Sequence, residues 1–78
     1  MVSNISIDGF RRERVQGKME HIQQQVQEAQ TQLKFQEQTI EQNAKQGLSV
    51  QPHLEEVSRL LLAIETKEEE IAVLEAEL

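Results

Sequence analysis

From Val15 onward, Phe35 aside, the apolar residues of the first half fall at Val15, Met19, Ile22, Val26, Ala29, Leu33, Ile40 and Ala44, in steps of four, three, four, three, four, seven and four. Steps that alternate between three and four hold side chains on one stripe of an α-helix, and a sustained alternation is the heptad pattern of a coiled coil. Gln36 fills the gap before Ile40, and the intervening positions are rich in Gln and Glu, which are good helix formers with solvated side chains. A second stripe runs through Leu54, Val57, Leu61, Ile64, Ile71, Leu74 and Leu78, widened at its edge by Leu60 and interrupted by Lys67 and Glu68.

Punctuation separates the two stripes. Gly47 suits the left-handed position just past a helix end, and Pro52 suits the first helical residue, where an N–H is not needed. Glu55 and Glu56 follow in what should be the opening turn, at the positive end of the helix dipole. The pattern predicts helices over residues 9–46 and 52–77 joined by a turn at 47–51, an all-α antiparallel two-helix hairpin of coiled-coil type. Asp8 would cap the first helix. Before it, Val2, Ile5 and Ile7 read as a docking arm over residues 1–8, with Ile5-Ser6-Ile7 alternating as a short strand does.

Folding the chain at the turn sets Ile40 against Val57, Leu33 against Ile64, Val26 against Ile71 and Met19 against Leu78. The expected hairpin core is therefore Val15, Met19, Ile22, Val26, Leu33, Ile40, Val57, Leu61, Ile64, Ile71 and Leu78. Such a core is thin, because a chain of 78 residues buries only a modest part of its surface. A second copy or a partner is expected to complete it to a bundle. Phe10, Phe35, Leu60, Leu62 and Val73 lie beside or outside the two stripes. With Ile5 and Ile7 they are the candidate partner-binding residues. The bland alternative, stray exposed apolar residues, is weakened because both phenylalanines of the chain fall off the stripe, where a core would have used them.

Composition narrows the function. The chain holds two Phe, no Trp, no Tyr and no Cys, so neither disulfides nor thiolate metal sites staple it. The net charge is -6, but Arg11, Arg12, Arg14 and Lys18 make the start basic while the stretch after residue 51 is Glu-rich. The same fold brings these two ends side by side, and an acidic chain argues against general nucleic-acid binding. His21 and His53 are too far apart to share a metal, and Glu68-Glu69-Glu70 reads as a solvated charge run. No phosphate loop and no nucleophile beside a base is present. The expectation is a non-enzymatic assembly subunit that binds a protein partner or itself. It uses no cofactor, metal or small-molecule substrate. No segment is apolar enough for a membrane span, and the first residues lack the order of a signal peptide, so a cytoplasmic setting or a place within a larger assembly is expected.

Two other readings compete. In size, acidity and helix–turn–helix outline the chain resembles the small helical-hairpin chaperones of bacterial secretion systems, which implies a co-chaperone or adaptor that shields a helical client. The hairpin outline is also similar to dimeric RNA-binding plasmid copy-control proteins. That likeness would require Lys34, Phe35, Lys45 and the Gln-rich face of the first helix to line an RNA groove.

Overall fold

The computed structural model describes residues 2–78, with side chains from Gly9 onward. It contains two α-helices, α1 (Val2–Lys45) and α2 (Gln51–Glu77), packed against each other along one seam. The assembly is a thin rod, 69 × 15 × 12 Å.

Helix α1 begins at Val2, earlier than the pattern predicts, and runs through Asp8 and Gly9 without interruption. Asp8 is therefore a residue within the helix and not its cap. The alternation at Ile5-Ser6-Ile7 is too short to hold a strand with no neighbouring strand to pair with. The Ser, Asn and Ile of this stretch each disfavour helix by only some tenths of a kcal/mol, up to about 0.7. The side chains of Ile5 and Ile7 lie outside the described residues.

Helix α1 ends in a Schellman motif. The Leu48 N–H donates to the Asn43 carbonyl at 2.8 Å and the Gly47 N–H to the Ala44 carbonyl at 3.2 Å. Gly47 holds φ at +73°, a value that a side chain at Cα would resist. Lys45 lies in the last turn, where a cation complements the carbonyl end of the helix. The chain then enters α2 through Val50, whose carbonyl accepts the Leu54 N–H at 2.9 Å. Val50 offers no side-chain cap, and Gln51 and Pro52 open the helix. Its first turn carries no acidic residue; Glu55 and Glu56 fall just beyond it.

Contacts from α1 to the connection and to α2 place the helices antiparallel. Asn43 Nδ2 donates to the Ser49 carbonyl at 3.4 Å, His53 Nδ1 lies 2.8 Å from Gln36 Oε1, and Lys67 Nζ lies 3.0 Å from Gln25 Oε1. Near the open end Arg14 and Glu77 line the same groove. The register differs from the expected one. Lys67, not Ala72, meets Gln25, and His53, not Leu61, meets Gln36. The cause is the Schellman motif, which turns the chain back over the last turn of α1 and sets Leu48 and Ser49 level with Asn43. Counting outward from the end of the turn overshoots by that doubling back.

Val15, Val26, Leu60 and Ile64 are buried. Met19, Ile22, Leu33, Ile40, Val57 and Ile71 are half-buried, as expected of a seam with no third layer above it. Two core expectations are corrected. Leu61 is 51% exposed while Leu60 is only 5% exposed, so the two exchange roles. Leu78 is 48% exposed because it follows the last turn of α2, where no further turn shields it. The burial follows an unbroken heptad frame, His53, Val57, Leu60, Ile64, Lys67, Ile71 and Leu74. A second frame, Leu54, Val57, Leu61, Ile64, Glu68, Ile71 and Glu75, shares three of those residues. The frame adopted brings His53 and Lys67 into the seam, where each finds a glutamine. The other frame would bring in two carboxylates, Glu68 and Glu75. A buried carboxylate without a cation is expensive, so the polar layers decide between frames of equal leucine content.

Candidate interaction surface

The seam positions the surface by consuming one stripe of each helix and leaving the rest in water. Phe10, Phe35 and Leu62 are each 65% exposed and Val73 is 63% exposed. These four of the five off-stripe candidates are therefore on the surface, and the fifth, Leu60, is in the core. Leu48 and Leu54 are also exposed, along with Leu61. Phe35 is not level with Leu62, because Gln36 beside it meets the start of α2 at His53. The exposed apolar residues are consequently spread over several sites along the rod.

On one flank Val73 lies in an open groove with Ile22, Thr66, Glu69, Glu70 and Leu74. Hydroxyl-bearing residues on exposed faces turn inward. Thr39 Oγ1 donates to the Phe35 carbonyl at 2.9 Å and Thr66 Oγ1 to the Leu62 carbonyl at 3.0 Å. Such back-bonding satisfies the threonine within the helix and leaves neighbouring apolar side chains as the features available for contact. On the opposite flank Leu54 and Leu61 stand one heptad apart on α2.

At the open end Phe10, Arg11, Arg14, Val15, Lys18 and Glu77 line another groove. The basic start of α1 and the acidic end of α2 are thus side by side. Among the described side chains the ion pairs within reach are intrahelical, Lys45 with Glu41 at 3.3 Å and Arg59 with Glu56. The attraction between the two ends is therefore a diffuse field through water and not a set of fixed bridges. The Glu56 carboxyl is held below its ordinary value chiefly by the hydrogen bond from Arg59, which is raised in turn.

The histidines divide. His21 is exposed, with Nε2 3.3 Å from Gln25 Nε2. His53 is half-buried in the seam, and because Gln36 Oε1 only accepts, His53 Nδ1 is the donor between them. Gln25 therefore links His21 on the surface to Lys67 in the seam. The pattern reading set Gln36 and Lys67 within the stripes as interruptions but missed Gln25 and His53, and it paired none of the four across the seam. Their signal was the continuity of the His53–Leu74 frame, which holds only if His53 and Lys67 count as seam positions. Lys34, Phe35 and Lys45, the residues an RNA groove would need, are all exposed on α1, and Lys45 is engaged by Glu41. Among the described residues no three His, Asp or Glu side chains are grouped to hold a metal ion, and no helix is long and apolar enough to cross a membrane.

No protein family, curated protein or solved structure matches the chain.

Proposed function

We propose that the chain is a non-enzymatic interaction subunit, a helical hairpin whose exposed apolar residues are covered by another chain in a working assembly. One observation carries this reading: Phe10, Phe35, Leu54, Leu61, Leu62 and Val73 are exposed on a rod that buries only four apolar residues among those described. A single isolated apolar residue on a surface is ordinary, but this ratio of exposed to buried leaves the hairpin short of the core that a stable domain of its length requires. Phe and Leu at such positions are the side chains that anchor interfaces.

The test is solution mass with far-ultraviolet circular dichroism, over a range of concentrations, for the chain and for Phe35→Ser combined with Leu62→Ser. The proposal expects association, or incomplete folding of the lone chain. Where the chain associates, the double variant should keep its helicity, and its loss of association measures the share of the contact that Phe35 and Leu62 supply. A monomer that unfolds cooperatively, with a midpoint independent of concentration, refutes it.

A further inference from the structure

The flank of α2 that carries Leu54 and Leu61 narrows the choice of partner. Leu54, Ser58 and Leu61 form an exposed strip one heptad long with no charge on it, bordered by Val57 of the seam. Leu54 is 44% exposed and Leu61 about half, so the strip is unpartnered. Two leucines at one-heptad spacing are self-complementary. Turned end for end, a second strip sets Leu54 against Leu61 and Leu61 against Leu54, the isologous contact of a two-fold dimer. The small Ser58 beside the axis lets the backbones approach.

Charge favours the same arrangement. The N-terminus of α2 has neither a side-chain cap nor an acidic residue in its first turn. Its positive dipole end therefore meets no carboxylate from its own first turn. On the same side of α2, Glu65 and Glu68 follow Leu61 and are exposed. In the antiparallel pairing Glu65 comes level with the partner subunit's Val50, the residue before its first helical turn. Each copy thus sets one carboxylate, Glu65, beside the α2 start that the other leaves without a side-chain cap or a first-turn acid. A parallel pairing would instead stack Glu65 and Glu68 on their own counterparts.

Resting on the reading of the chain as an interaction subunit, we infer that its partner at this strip is a second copy of itself, docked antiparallel through Leu54 and Leu61 to give a four-helix assembly. The chain has no cysteine, so single-cysteine variants report the geometry directly. Leu54→Cys and Leu61→Cys are oxidised separately and as a mixture of the full-length chains. The inference expects a disulfide-linked dimer from the mixture and little from either variant alone. Glu65→Lys should weaken dimerisation about tenfold, measured by light scattering, and the loss should shrink at high salt. Dimers linked within each single variant would mean a parallel pair and overturn the inference. So would a dimeric mass with no cross-linking in any sample, which would leave the interaction reading standing. A monomeric, partly unfolded chain would also overturn it and would assign the strip to a different protein. Only a stable, concentration-independent monomer defeats both proposals.

Discussion

Replacing Leu60 with alanine, and separately Leu61, asks which heptad frame α2 uses. Leu60 is 5% exposed and Leu61 51%. A buried Leu→Ala change typically costs about 2–5 kcal/mol through lost burial and the cavity left behind. In a rod one layer thick the surroundings close in from the open sides, so the lower end of that range, about 2–3 kcal/mol, applies to Leu60. Full burial of a leucine is worth about 1.5–3 kcal/mol; Leu61 has realised about half of it, and alanine's better helix propensity returns a few tenths. The expected loss at Leu61 is therefore about 1 kcal/mol or less. In a domain of this size each kcal/mol moves the thermal midpoint by about 4–8 °C, so Leu60→Ala should lower it by at least about 8 °C and Leu61→Ala by no more than about half as much as Leu60→Ala. The assay is thermal unfolding by circular dichroism at a concentration where the mass is that of one chain. Equal losses, or a larger one at Leu61, would mean that α2 is rotated into the frame of Leu54 and Leu61. The His53–Gln36 and Lys67–Gln25 contacts would then not exist.

Alanine at the two glycines of opposite backbone type should act with opposite sign. Gly17 lies in mid-helix with nothing within 4 Å of an added Cβ, so Gly17→Ala should stabilise by about 1 kcal/mol. Gly47 is equally open but holds φ at +73°, so Gly47→Ala should destabilise by about 1–2 kcal/mol. Two shifts of the thermal midpoint in the same direction would contradict the Schellman end of α1. The Glu56 carboxyl is held below its ordinary value of 4.5 in the folded chain. Its contribution is present above that value and disappears as the pH falls through the lowered one. The wild type should therefore exceed Glu56→Gln slightly in thermal midpoint near neutral pH and match it in acid; a difference that grows in acid would reverse the assignment.

The readable part of this fold was the part where only one apolar stripe competes for the helix. Along α1, Val15 through Ile40 recur in a single frame, and every one of those positions is buried or half-buried. Along α2, Val57, Ile64 and Ile71 belong to two frames at once, so hydrophobicity alone cannot separate Leu60 from Leu61. The decision rests on His53 and Lys67, polar residues that join a seam only once Gln36 and Gln25 are known to face them. The register is hidden for a related reason. Gly47 announces the end of α1, but how far the chain doubles back depends on hydrogen bonds between Leu48 and Asn43 that no periodicity carries. The exposure of Phe10, Phe35, Leu62 and Val73 was legible because it needs only their distance from the stripes. Their separation from one another along the rod was not, because it depends on that register.

The rod's proportions govern how the molecule moves through a solution. Its radius of gyration is 18.9 Å, whereas a compact chain of this length would have about 11–12 Å. Friction follows the long dimension, so the lone hairpin should diffuse and elute as a much heavier globule does. The antiparallel pairing through Leu54 and Leu61 overlaps two hairpins only near their turns, so it would lengthen the rod as well as double its mass. Apparent size and true mass are therefore decoupled, and a column calibrated with spheres would assign one chain the position of two. Tumbling is anisotropic as well. Helical N–H bonds point along the helix axis, so the amides of α1 and α2 alike lie close to the long axis of the rod. They should reorient at the rate of its slow end-over-end rotation, giving uniformly fast transverse relaxation for a chain of 9.0 kDa.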